Sequence, residues 1–161
     1  MDTTEALALA KEVAGAWTWE TELVEPEENR LDIHLKNAGD LAAAATEIQA
    51  NRLGYLAAIT GIDLGAEAGE LEALYHFCQA GAVITLRIRL PRENPVVATL
   101  TGIIPGAEPF ERELSEMFGV TVEGLRAPNH LYLPEDWPDE VFPQRKDFDP
   151  AVLDGEAERS V

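Results

Sequence analysis

Between Ala82 and Leu90 the chain alternates without a break. Ala82, Ile84, Leu86, Ile88 and Leu90 fall on one side, and Val83, Thr85, Arg87 and Arg89 on the other. A two-residue period of this kind marks a half-buried strand. The run before it, Glu70–Gln79, alternates less cleanly, and Ala80-Gly81 supplies a turn between the two, so together they predict a hairpin. A one-residue slip would carry the arginines into the core, which pins the register. Arg30–Lys36 alternates in the same way, with Leu31, Ile33 and Leu35 opposite Asp32, His34 and Lys36. Tyr55–Leu64 is apolar enough for a strand or an extended segment, GIDLGAEAG reads as loop, and Val96–Leu100 predicts one further short strand.

Three stretches change to helical spacing. Thr4–Ala16 places Ala, Leu and Val on one stripe behind a Thr able to cap it. In NAGDLAAAATEIQANRLG the alanines favour helix, Asp40 is the expected N-cap and Gly54 the expected stop. Glu108–Phe118 reads as a helix with Pro109 in its first turn and Gly119 as its stop. Strands and helices in mixed order, without regular βαβ alternation, predict an α+β domain: a mixed or antiparallel sheet packed against helices.

Beyond Gly124 the pattern breaks. Pro128, Pro134, Pro138, Pro143 and Pro150 fall close together, a spacing that no helix survives and that strips donors from a central strand. The chain therefore divides into a core over residues 1–125 and an extended, proline-rich segment over 126–161, with DGEAERSV as a frayed end. The segment is aromatic rather than Ser/Gly-rich, so it is no flexible linker. Either it decorates the surface or it lies against a partner.

Composition narrows the classes. Of 161 residues, 46% are apolar and 26% charged, as in a globular domain with a real core. Thirty acids against twelve bases give a formal net charge of −18. That balance argues against nucleic-acid binding, which needs clustered Lys and Arg, and against adhesion to anionic lipid headgroups. A single cysteine, Cys78, excludes an internal disulfide framework and fits a reducing compartment. The acidic start, MDTTEALALAKEV, lacks the basic flank of a secretory signal, and no apolar run of membrane-spanning length follows. The expectation is a cytoplasmic domain.

Candidate chemistry is sparse. There is no GxxxxGK[ST] loop and no GxGxxG after a strand, and Gly61, Gly65 and Gly69 are spaced by four among acids that would repel a pyrophosphate. His76 and Cys78 share a strand face and could offer half a metal site, with His34 or His130 as the only further imidazoles; packing and surface roles are the stronger reading. Cys78 in an apolar strand reads as a small hydrophobe, and Ser115 has no histidine at a characteristic spacing. No catalytic or metal residue is assigned. Arg112 is interleaved with Glu111, Glu113 and Glu116 and lies a turn from Glu116. That row is either a solvated face or an ion-pair network anchoring the following loop or a partner.

From about Asp63 to Phe148 the chain resembles the 30 kDa subunit family of NADH-quinone oxidoreductase, the respiratory complex I, with its counterparts in energy-converting nickel–iron hydrogenases. The resemblance rests on TGIIPGA, then on the helix carrying Glu111, Arg112, Glu113, Glu116, Met117, Phe118 and Gly119, and on a closing Arg145-Lys146-Asp147. Gln144 stands where the family commonly has Leu, and PEDWP looks closer to the hydrogenase-type members. The family resemblance implies a non-catalytic subunit with no cofactor of its own. It would lie in the peripheral arm on the cytoplasmic side of the membrane, packed on a large quinone-cavity or nickel–iron subunit and near iron–sulfur subunits. The segment holding Pro134, Asp136, Trp137, Phe142, Pro143, Arg145, Lys146, Asp147 and Phe148 suits a clamp, because pre-extended chain loses little entropy on docking. With Glu111, Arg112, Glu113 and Phe118, these are the expected partner-binding residues.

Overall fold

The computed structural model describes residues 1–126 and 129–157. Its elements run α1 (Thr3–Gly15), β1 (Thr21–Val24), β2 (Arg30–Leu35), α2 (Leu41–Ala50), β3 (Tyr55–Asp63), β4 (Glu70–Gln79), β5 (Ala82–Pro91), β6 (Val96–Ala98), α3 (Glu108–Phe118), β7 (Thr121–Glu123) and α4 (Ala151–Ala157). The expected hairpin is β4–β5, antiparallel and in unbroken register from Gln79↔Ala82 to Glu70↔Pro91. It forms the middle of a five-stranded mixed sheet ordered β1-β2-β5-β4-β3, in which only β2–β5 is parallel. β6 and β7 make a second, two-stranded parallel ladder.

The period-two pattern sorts the faces. Leu31, Ile33, Ala73, Tyr75, Phe77, Ile84, Leu86 and Ile88 are buried in one core cluster with Ala6, Leu7, Ala10, Leu41, Ala44, Ala45 and Ile48 of α1 and α2. The other face carries Asp32, Glu72, His76, Thr85 and Arg87. Arg87 joins it together: Nη1 donates to Asp32 Oδ2 at 2.9 Å, while Nε and Nη2 grip Glu72 at 2.9 Å each. Both carboxylates are buried, so this bidentate pairing supplies the partners that their desolvation demands.

The helix and turn signals resolve in different ways. Asp2, not a threonine, caps α1: it accepts from Glu5 N–H while Glu5 accepts from Asp2 N–H, both at 2.9 Å, a reciprocal box. Asp40 makes no side-chain cap on α2; Asn37 accepts from Gly39 N–H at the head of the short 3₁₀ turn before it. Gly54 lies past the helix end, where φ is +110° and a Cβ would overlap the Cys78 carbonyl, so it admits β3 beside β4 rather than stopping α2. β1 and β7 answer no sequence expectation. From 129 to 150 the chain is free of helix and strand, as its prolines require. The expected frayed end is partly helix instead, since α4 begins directly after Pro150. Pro128 and residues 158–161 lie outside the described residues.

Candidate functional site

The C-terminal segment is a strap held against α3 and the Asp63 end of β3. Two sets of contacts secure it, and both begin in the sequence of α3. That helix buries Glu111, Leu114 and Phe118, one stripe at i, i+3 and i+7, and turns Arg112, Ser115 and Glu116 outward. Gly119 ends it at φ +74°, in the left-handed region, and a Cβ there would overlap the Phe142 ring.

The first set holds the head of the strap. Glu116 accepts from the N–H groups of Leu131 and Tyr132, the latter at 3.0 Å, with His130 Nδ1 at 3.2 Å. Burial acts to raise the Glu116 carboxyl, but the N–H groups of Tyr132, Leu131 and Leu133 outweigh it, and the pKa lies below the ordinary value. Arg112 Nη2 donates to the Asn129 carbonyl at 2.9 Å, and its nearest carboxylate is Glu108 at 3.9 Å rather than Glu116. Of the two readings of the acid–base row, the anchor for the following loop holds, and it acts through main-chain groups rather than through a network of ion pairs.

The second set is a latch built on Arg145-Lys146-Asp147. Gln144 N–H donates to the Met117 carbonyl at 3.1 Å and Arg145 Nε to the Phe118 carbonyl at 2.7 Å, which satisfies carbonyls left open at the helix end. The Arg145 guanidinium also lies 4.8 Å from the Phe142 ring centroid. Lys146 N–H donates to Asp63 Oδ2 at 2.8 Å. Arg92 grips Asp63 with Nε and Nη2 at 3.0 Å each and reaches Asp147 with Nη2 at 2.6 Å. Gly65 N–H supplies a fourth donor to Asp63 at 2.8 Å. Paired with Arg92 and bonded to the Lys146 and Gly65 amides, Asp63 is held far below the usual carboxylate range despite its burial.

Between the strap and the outer face of α3 lies a groove of about 590 Å³ lined by Arg112, Glu116, His130, Trp137, Glu140 and Phe142, among others. Trp137 is pinned by Nε1 donating to the Val141 carbonyl at 2.8 Å and by the Phe148 ring 6.2 Å away.

Several expected partner residues have other work. Glu111 is fully buried, with Oε1 accepting from Leu100 N–H and Oε2 from the Thr99 hydroxyl, both at 2.6 Å, so no partner can reach it. Its place on the Leu114–Phe118 stripe is the sequence signal for this. Phe118 is buried too, against Gly61 of β3. Arg145 and Asp147 bind within the chain, whereas Pro134, Asp136 and the Lys146 side chain are exposed; Glu113, Trp137, Phe142, Pro143 and Phe148 are partly so. Asp63 and Arg92 have no signal in spacing, being 29 residues apart, although Asp63 is the one acid closing an apolar run. Of the histidines, His76 sits between the hydroxyls of Thr60 (3.1 Å) and Thr85 (3.0 Å), its pKa lowered first by burial and then by Arg30; His130 lies at the groove instead. Among the described residues no group of three or more His, Cys, Asp or Glu is arranged to hold a metal ion, and no helix is long and apolar enough to cross a membrane.

The family model described as respiratory-chain NADH dehydrogenase, 30 kDa subunit, matches residues 32–152, which span every element of the latch and groove. An NAD(P)H-quinone oxidoreductase subunit of Synechococcus sp. (strain WH7803) is 33% identical over 142 residues, covering 81% of this chain and 76% of that one. An NADH-quinone oxidoreductase subunit of Roseiflexus sp. (strain RS-1) is 35% identical over 98 residues, covering 60% and 55%. The beta subunit of the membrane-bound hydrogenase of Pyrococcus furiosus is 34% identical over 87 residues, covering 53% and 50%. The chain thus spans about half the length of several curated relatives that it matches. A chain in the structure of the membrane-bound sulfane sulfur reductase, an archaeal respiratory membrane complex, shares the fold at a TM-score of 0.75 and 22% identity, covering 96% of this chain and 92% of that one.

The quinone oxidoreductase and hydrogenase relatives are subunits of oxidoreductase complexes, and that sets the class. The chain belongs to the 30 kDa subunit family of the respiratory-chain NADH dehydrogenase.

Proposed function

We propose that this chain is a non-catalytic peripheral-arm subunit, holding no cofactor itself, of a membrane-associated complex I-like NADH-quinone oxidoreductase. It docks on the large, quinone-cavity subunit through the strap and its groove, lies near the iron–sulfur subunits on the cytoplasmic face, and supports assembly of the electron-transfer module. Residues 1–125 form the body and residues 126–161 the partner-binding segment. The observation that carries this reading is the double anchoring of the strap at Glu116 and at Asp63. It presents Trp137 and Phe142 in a fixed, part-exposed groove, and a surface ordered in advance gives up little entropy when a partner arrives. A second reading, the equivalent subunit of an energy-converting hydrogenase-type complex, draws support from the Pyrococcus relative.

The test is to isolate the tagged chain from detergent-solubilised native membranes and identify what accompanies it. Recovery of a large subunit and iron–sulfur subunits is expected. Asp139→Lys with Glu135→Lys, charge reversals at exposed positions on the groove rim, should cut that recovery while leaving thermal unfolding of the free chain unchanged. Equal recovery of the large subunit with both reversals in place would sink the docking reading. NADH-dependent quinone reduction by the isolated assembly, as against hydrogen evolution, separates the two readings.

A further inference from the structure

The five-stranded sheet ends in two free edges that are built differently. The β1 edge is four residues long, carries Glu22 paired with Lys36 at 2.8 Å, and is followed by Glu25 and Pro26. Shortness, charge and proline are the usual guards against strand addition. The β3 edge has nine residues, YLAAITGID, with no charge before Asp63 and no proline. At roughly 3.3 Å per residue it offers about 30 Å of edge. One register irregularity between Leu56 and Ala58 is its only interruption. On one side it pairs with β4; among the described residues its other side makes no backbone hydrogen bond, although α3 packs against β3 with Phe118 on Gly61 and the strap reaches its end through Asp63. Tyr55, 68% exposed, and Thr60 stand open along it.

We propose that β3 is a strand-addition site, completed by an extended β-branched segment of a partner subunit with Lys or Arg at its flanks. An apolar edge of this length, with no charge or proline before Asp63, invites pairing, and main-chain hydrogen bonds would supply the affinity. Charge selects the occupant. A second copy would set one −18 chain against another across the pairing, whereas a basic-flanked strand is attracted. The attraction has a local source: the Lys146–Asp63 bond brings the strap to the end of β3, so a strand running past Asp63 meets the exposed Asp149, next to an Asp147 that Arg92 already holds. This inference rests on the chain working inside an assembly, not on the groove.

Hydrogen exchange on the free chain and on the complex isolated from native membranes tests it. Amides of residues 55–63 that point away from β4 are expected to exchange on the order of a hundredfold more slowly in the complex, with β1 unchanged. A synthetic peptide, Lys-Lys-Val-Thr-Ile-Thr-Val-Lys-Lys, should protect the same amides in the free chain, and its Glu-flanked counterpart should not. Unchanged exchange in the complex overturns the proposal, as does equal protection by both peptides. Protection that grows with concentration of the free chain alone overturns it in favour of self-pairing. Failure of groove docking would show as undiminished recovery of the large subunit by the Asp139→Lys, Glu135→Lys chain; failure here leaves β3 unprotected in a complex that still assembles.

Discussion

Asp63→Asn is the sharpest probe of the latch. Four donors converge on this buried carboxylate: two from Arg92 and the N–H groups of Gly65 and Lys146. An asparagine of the same shape has one oxygen, able to accept two of them, and turns an NH₂ toward the rest. Each hydrogen bond to a charged group contributes about 1.5–3 kcal/mol, so global stability is expected to fall by about 3–4 kcal/mol. The share that concerns the strap is smaller, the Lys146 N–H bond and the shared grip of Arg92 on Asp147, together about 2 kcal/mol. Trypsin reads that share directly, because Arg145 and Lys146 are themselves cleavage sites within the latch. When opening is fast relative to cutting, a loss of 2 kcal/mol raises the cleavage rate roughly thirtyfold. The assay is limited proteolysis with mass-resolved products, alongside thermal unfolding. If the variant melted lower but was cut after Arg145 and Lys146 at the unaltered rate, the latch would be local to β3 and Arg92, and the strap would be held by Glu116 and Phe142 alone. Asp147→Asn, at an exposed position, sets the scale at well under about 1 kcal/mol.

Other expectations come from the same contacts. Gly61→Ala places a methyl group into the Phe118 ring, and calorimetry should show a loss of about 1–3 kcal/mol as α3 is pushed off β3. Glu111→Gln keeps an acceptor for Leu100 N–H but turns a donor toward the Thr99 hydroxyl, and denaturant titration should show a loss of about 1–2 kcal/mol. His76, its pKa depressed by burial and by Arg30, is neutral when folded. Its stabilising contribution is present above the unfolded value of 6.5 and declines as pH falls below it, toward the folded pKa, so His76→Gln should flatten the fall in melting temperature just below pH 6.5. Asp63 adds a separate loss only in acid, below its ordinary value of 3.8, because its folded pKa is depressed.

What the sequence reveals depends on how far each signal reaches along the chain. The β4–β5 hairpin and α3 are legible because alternation, Ala80-Gly81, Pro109 and Gly119 all act within a few residues of one another. β1 and β7, at four and three residues, are too short to establish a period, and β1 lies among acids. The parallel β2–β5 pairing joins Arg30–Leu35 to Val83–Ile88, a distance at which spacing says nothing. The same holds for the site. Arg145-Lys146-Asp147 stands out as a motif, yet its bonding partners Asp63 and Arg92 lie 83 and 55 residues from Lys146 and Asp147. Arg145 and Asp147 serve to fasten a proline-rich segment to its own body, while the Lys146 side chain stays exposed. Glu111 is different, since a helical wheel alone sets it among Leu114 and Phe118 and so inside the core.

The parallel junction between β2 and β5 also orders folding. β3, β4 and β5 are neighbours in sequence and in space, so their loops close at small entropic cost. β2 cannot dock until β5 exists, about fifty residues later, and the closing of that long loop is the slow, high-contact-order event. Until it happens, β5 is a second open edge on a three-stranded meander, and α1 and α2 have only part of a surface to cover. On a ribosome the β1–β2 pair would therefore wait, undocked, for the β4–β5 hairpin to emerge.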